Sequence, residues 1–468
     1  MNTKNIVLSL TIAGIITSSA LMPMKRTWDD NDPTMQDHHL SKKTKTSDVV
    51  TMSDFFDSLP NETNDHIGQF LVPAHLDLTN PTHIKIIRTI VRYKNINRHF
   101  HHTIVPLCLR HIRAITLSDA IITNQQKFNR FLAFLSQLIN LNAINLQGTN
   151  ITDQQLSALL DVVNRNKIKQ LKLSFCSNLQ NPTFTNLPAL TSLYLPFCDN
   201  LQNPTLTNLP ALTKLDLSFC NDLQNPTLSN LPALTSLKLS FCHNLQNPIL
   251  NNLPALTKLD LSGLAITDTL LSNILDHGNF RNSLKALYLS FCHNLQNPTL
   301  NNLPALTKLD LSGLAITDTL LSNILDHGNF KNSLKALDLS YCHNLQNPTL
   351  NNLPALTKLD LSATNITDTL LSNILDHGNF RNSLKALKLS SCHNLQSPTL
   401  NNLPALISLN LSSCFHLQNP IFNNLPALTK LYLFHCPNLA LVTLSTTMQH
   451  LHLEQQHSPI HFNYVNNQ

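Results

Sequence analysis

The sequence predicts an α/β solenoid: a curved parallel sheet on a concave side, a mixed helical and extended convex side, and a small helical domain ahead of it. Three observations predict this. A Leu-x-x-Leu-x-Leu-x-x-Cys framework, as in Leu190, Leu193, Leu195 and Cys198, recurs through most of the chain. Unit starts fall at 112, 141, 168, 190 and onward to 428 and 448, fifteen in all, mostly 22 or 28 residues apart. Charged residues make up only 13% of the 468 residues, about half the usual share, because leucine and asparagine fill the periodic positions.

Residues 1–20 read as a secretory signal. Lys4 precedes an apolar run over 6–16 and the small residues Ser18, Ser19 and Ala20. The run is shorter than the roughly 20 residues a membrane span needs, so export or secretion without stable membrane insertion is expected. Residues 21–54 are polar and charged, too poor in apolar groups to offset chain entropy, and read as a disordered linker.

Residues 55–104 are not repeats. Leu59-Pro60-x-Glu62 followed by Ile67 and Leu71 reads as a Pro-initiated amphipathic helix. Ile96-Asn97-Arg98-x-Phe100 reads as a later helix presenting an aromatic ring. Together these resemble the F-box over about 50 residues, with a longer middle that contains Pro73 and Pro81. The resemblance implies that Leu59, Pro60, Ile67, Leu71, Ile96 and Phe100 build a small helical domain contacting a Skp-type adaptor. Read from the residues alone, the alternative for the same segment is a helical cap sealing the open end of the solenoid.

From 112 to 468 the repeats resemble the leucine-rich-repeat family. Alternation in Leu-x-Leu puts the framework leucines on the inner face of a short strand, and stacking neighbouring units closes their core. In the 28-residue units Asp268, Asp318 and Asp368 are expected to cap helices that end at Gly278, Gly328 and Gly378. The 22-residue units carry prolines such as Pro204 and Pro210, which predict extended or turning backs.

Nine of the ten cysteines, Cys176 to Cys436, hold the framework position after the strand and are expected to be free, buried thiols. Recurrent Cys-His pairs such as Cys292-His293 point their two side chains differently, so scaffolding is the reading and a zinc ladder is not. No metal or cofactor is expected.

Binding is expected on the concave face. The residue between the strand leucines runs Lys172, Tyr194, Asp216, Lys238, Asp260, Tyr288, Asp310, Asp338, Asp360, Lys388, Asn410 and Tyr432. Core packing does not explain such unlike swaps on an otherwise fixed scaffold, whereas a protein-binding surface does. A second series, Phe175, Phe197, Phe219, Phe241, Phe291 and Tyr341, reads as a ladder stacking on itself as outer core.

The net charge of +5 is too small for a dedicated nucleic-acid binder, and eight glycines exclude a Gly-rich phosphate cradle as a theme. No HExxH or GxSxG motif is present, so no catalytic residues and no enzyme are expected. The F-box and repeat resemblances together imply a non-catalytic substrate receptor of a cullin-type ubiquitin ligase, with a protein substrate on the repeats. With the signal segment they imply a bacterial effector working in a host cytoplasm. The alternative is a secreted protein-binding module whose N-terminal helices only cap the solenoid.

Overall fold

The computed structural model describes residues 75–78, 80, 82–83 and 109–445 apart from 225, 229, 246 and 247. It also describes the backbone of 452–454 and 461–465. The signal-like segment, the linker and the six residues expected to contact an adaptor, Leu59, Pro60, Ile67, Leu71, Ile96 and Phe100, lie outside the described residues. The chain forms two units, Met1–Asn145 with Val162–Asn164, and Leu146–Asp161 with Arg165–Gln468.

In the first unit, strands His75–Asp77, Ala114–Thr116 and Ala143–Asn145 pair in parallel with Leu76, Ile115 and Ile144 in register. All three of those apolar residues are fully buried. Helix α1, Asp119–Ile122, leads into α2, Gln125–Leu135, whose N-cap Asn124 accepts a hydrogen bond from the Lys127 amide. Phe128, Phe131 and Leu135 form its buried face. The strand at His75–Asp77 lies in the Pro-containing middle of the 55–104 segment, between the two stretches that the sequence reads as helices. His75-Leu76-Asp77-Leu78 repeats the pattern Lys258-Leu259-Asp260-Leu261, so alternation places two leucines inward and Pro73 stands where the first framework leucine would.

The second unit is a parallel leucine-rich-repeat solenoid. Three-residue strands pair successively from Gln170–Lys172 to His452–Glu454 with one register throughout, for example Leu259↔Leu287↔Leu309. Framework leucines such as Leu259 and Leu261 are completely buried, while Lys258 before them and Asp260 between them are half-buried. The last strand sits at His452–Glu454, two residues later than a unit start at 448 implies. Pairing Leu431 with Leu453 preserves the 22-residue step of the preceding units.

The six extra residues of a 28-residue unit are absorbed behind the sheet. Helices α3 (Asp153–Val162), α4 (Asp268–His277), α5 (Asp318–His327) and α6 (Asp368–His377) occupy the longer units. The 22-residue units run extended there, and Thr183–Thr185 pairs with Thr205–Thr207. A second parallel sheet joins Thr399–Asn401, Ile421–Asn423, Leu441–Ser445 and His461–Val465.

The helix caps differ from expectation by one residue. Thr267, Thr317 and Thr367 are the N-caps, each accepting a hydrogen bond from the amide three residues on. The aspartate that follows reaches the next unit instead. Asp318 accepts from the Gln346 and Asn347 amides at 3.0 and 2.8 Å, and Asp153, Asp268 and Asp368 repeat the clamp. Gly328 and Gly378 follow their helices with ordinary negative φ, so a left-handed turn is not their purpose. The Phe330 and Phe380 rings occupy the space a Cβ would need.

Removing the clamp should loosen one unit from the next. Asp318→Ala leaves two backbone amides without their charged acceptor and is expected to cost about 1–3 kcal/mol. Leu309→Ala, in the strand core, is expected to cost about 2–5 kcal/mol. The shift of the urea midpoint for each variant measures both.

Candidate functional site

The strand register turns the variable series into one row. Lys172, Tyr194, Asp216, Lys238, Asp260, Tyr288, Asp310, Asp338, Asp360, Lys388, Asn410 and Tyr432 are consecutive Cα partners on neighbouring strands. Their side chains share the sheet face that the leucines do not use. Lys172 and Lys388 are exposed and most of the others half-buried. Asp216 is the buried member of the row: only 9% accessible, it lies in an ion pair with Lys238 at 2.9 Å and accepts the Ser218 hydroxyl.

The charges along the row fall into blocks. Lys388 pairs with Asp360 at 3.1 Å. Hydrogen bonding to these carboxylates raises the pKa of both Lys238 and Lys388. Between them, Asp310, Asp338 and Asp360 stand on adjacent strands. Burial, and then the charges of Asp310 and Asp360, push the Asp338 carboxyl up, against hydrogen bonds from the Ser340 amide and hydroxyl.

Tyr288 is held from both sides. The ammonium groups of Lys258 and Lys308, in the first position of the flanking strands, lie 4.8 and 4.6 Å from its ring centroid. Such contacts are worth about 0.5–1 kcal/mol each at exposed sites and keep the ring in place. Sequence reasoning passed over these lysines. The alternation of Lys-Leu-Asp with Ala-Leu-Tyr strands was the signal, since each lysine neighbours an alanine that leaves it room.

The aromatic series forms a second row beside the first. Phe175, Phe197, Phe219 and Phe241 stack in parallel at 4.7, 4.4 and 4.9 Å. They stack as expected but not as core: Phe175 is 49% exposed and Tyr341 52%. Each has a left-handed backbone, with φ between 56° and 60°. Glycine holds the same position at Gly148, Gly263 and Gly313. An L-residue pays about 1–2 kcal/mol for this conformation, so the rings are retained against a backbone cost.

Cys176 to Cys436 are free and buried, and each thiol donates to the carbonyl of a strand leucine one unit earlier, such as Cys242 to Leu217 at 3.0 Å. Burial pushes Cys198, Cys242, Cys292 and Cys342 up to about 12 and Cys392 to about 11. Cys108 lies outside the described residues. His293 packs edge-on against Phe291. Among the described residues no three histidine, cysteine or acidic side chains are grouped to hold a metal, and no helix is long and apolar enough to cross a membrane.

No protein-family model and no curated protein matches the chain. Solved structures do. It is similar to TLR13 in a complex with ssRNA13, at 22% identity and a TM-score of 0.45, covering 76% of this chain and 52% of that one. An internalin of Listeria monocytogenes gives 21% identity and a TM-score of 0.36, covering 69% and 82%. A leucine-rich-repeat protein of Leptospira interrogans gives 18% and 0.41, covering 75% and 92%. The chain spans about half the length of TLR13, and the likeness is one of fold alone.

The thiols make two predictions. At pH 8 a thiol reagent should label Cys176 to Cys436 slowly in the native protein and rapidly in urea. Their folded pKa values stand above the ordinary value near 9, so the folded state holds protons the unfolded chain would release. Their contribution is therefore complete below about pH 9 and is lost as pH rises toward 11–12. Urea midpoints measured from pH 7 to 11 should fall only above pH 9.

Proposed function

We propose that this chain is a non-catalytic protein-binding module whose partner rests on the exposed sheet face. The observation that carries the reading is the aligned row. The copies beginning at 256, 306 and 356 are nearly identical, yet place Tyr288, Asp338 and Lys388 at one position of that face. Tyr288 is the expected anchor, because its ring is already ordered by Lys258 and Lys308 before binding.

The finer reading is a substrate receptor. Leu59-Pro60-x-Glu62 and Ile96 to Phe100 resemble an F-box, which would dock on a Skp-type adaptor of a cullin ubiquitin ligase while the repeats hold the substrate. Export from a bacterium into a host cytoplasm would reconcile this role with the signal-like segment. A second reading has an observation in its favour. The strand His75–Asp77 extends the repeat register into the 55–104 segment, as a cap on the first repeats would. A secreted binding module is then sufficient.

Two experiments separate these readings. In the full chain, Leu59→Asp with Pro60→Ala should abolish capture of a purified Skp-type adaptor and leave the melting temperature unchanged. A cap instead predicts no adaptor capture by the parent protein and a loss of a few kcal/mol from a newly buried charge. For a partner recovered by photo-crosslinking from position 310, Tyr288→Asp should weaken binding by about 1–3 kcal/mol without unfolding, since Asp338 shows the scaffold accepts that residue. Arg281→Lys copies Lys331, which keeps its own ion pair to Asp326, and should change nothing.

A further inference from the structure

We propose that a row of lysines along the strand starts, Lys258, Lys285, Lys308, Lys335, Lys358 and Lys385, is a docking surface for an acidic segment of a protein partner. The proposal rests on the protein-binding reading above and names the chemistry that the partner brings beside the variable row. Six consecutive strands each begin with one lysine. Where Thr257, Thr307 or Thr357 precedes the strand, its first residue is Lys258, Lys308 or Lys358. Where the strand opens on Ala286, Ala336 or Ala386, the lysine stands one residue earlier, at 285, 335 or 385. Amide-to-carbonyl hydrogen bonds of 2.8–2.9 Å tie the row together, Lys285 to Thr257, Thr307 to Lys285, and so on to Lys385. At about 4.8 Å per strand the row is about 24 Å long.

Like charges on neighbouring strands repel each other. Among the described residues none of these six lysines is in an ion pair. Lys258 and Lys308 lie on the Tyr288 ring, and Lys285, Lys335, Lys358 and Lys385 are exposed. The aspartates of the same strands do not neutralise them. Asp260, Asp310, Asp338 and Asp360 each accept a hydrogen bond from the amide two residues on, at 3.0–3.2 Å, toward the other end of the strand. A basic row and an acidic row therefore run side by side across these strands.

That pairing of rows identifies the occupant. A nucleic-acid backbone or an anionic membrane carries one sign of charge, and its phosphates would meet the aspartates as well as the lysines. An extended peptide laid across the strands puts successive side chains on opposite edges. It can give carboxylates to the lysines and present a different chemistry to the aspartates. About seven extended residues span the row. Ammonium groups on flexible four-carbon stems then reach carboxylates without a fixed geometry.

The test uses the full-length protein and two fluorescein-labelled peptides, octaglutamate and octaglutamine, followed by fluorescence anisotropy. Octaglutamate is expected to bind saturably at low salt and to weaken as salt rises, and octaglutamine is expected not to bind. Lys285→Gln, Lys335→Gln and Lys385→Gln together should weaken octaglutamate by about tenfold or more, while arginine at the same three positions preserves it. Arg281→Gln, Lys331→Gln and Arg381→Gln remove three charges from the same copies, where each residue already has an aspartate partner, and should leave binding unchanged. Thermal melting checks that each variant folds. The single changes Lys335→Gln and Lys331→Gln make the same comparison if a triple variant does not. The proposal is overturned if octaglutamate does not bind, or if both sets of variants weaken it equally. It is also overturned if an oligothymidylate of eight phosphates or phosphatidylserine vesicles bind more tightly than octaglutamate, since the surface would then be one for phosphates. Lys258 and Lys308 stay in place in every variant, so any of these outcomes leaves the role of Tyr288 to its own experiment and the two failures are distinguishable.

Discussion

The spacing of about 4.8 Å between hydrogen-bonded parallel strands governs the second unit. Every repeated feature is a side chain or backbone group that meets its own counterpart one strand away. Framework leucines stack on leucines, and each framework thiol reaches a leucine carbonyl of the unit before it. The phenyl rings stack at 4.4–4.9 Å because the strands hold them at nearly that distance already. Asparagines in left-handed conformation form a third ladder, with Asn208 donating to Asn186 at 2.7 Å and Asn424 to Asn402 at 2.7 Å. No unit is complete alone, since its polar and apolar groups find partners only in its neighbours.

The same spacing makes the exposed face informative. Once the leucines fill one side of the strand, the residues between them are free of core packing and can change chemistry without altering the fold. The three near-identical copies show this directly, with a phenol, a carboxylate and an ammonium at one position. The face nevertheless has its own internal order. Two lysines hold Tyr288, Asp216 is covered by Lys238, and Asp338 sits between two like charges. Residues used in this way are ordered before any partner arrives, which lowers the entropy lost on binding.

Much of this was legible in the residues. The Leu-x-Leu alternation and the 22- and 28-residue steps disclosed the parallel solenoid, the helical and extended backs, and the burial of Cys176 to Cys436. The exceptions have local causes. Thr267 rather than Asp268 caps its helix, because the threonine precedes the first helical residue and the aspartate inside the turn is free to reach Gln296 and Asn297. The strand at His75–Asp77 was overlooked because Pro73 interrupts the leucine framework there, although Leu76 and Leu78 keep its alternation. The phenylalanine rings stack as the sequence predicts, but Phe175 and Tyr341 stand about half exposed rather than in an outer core.

The sequence by itself determined which residues repeat, and with them the strand register, the inward leucines and the single row of variable residues. These follow from periodicity, since a side chain's face on a strand is set by counting. Only the tertiary structure decided what each outward residue does. Whether Asp216 is free or paired, and whether a ring is covered or open, depends on residues 22 or 28 positions away and on backbone angles that no spacing encodes. Asp216 and Asp310 make the point: one residue type at one repeat position, the first buried against Lys238 and the second half-buried on the strand between Tyr288 and Asp338.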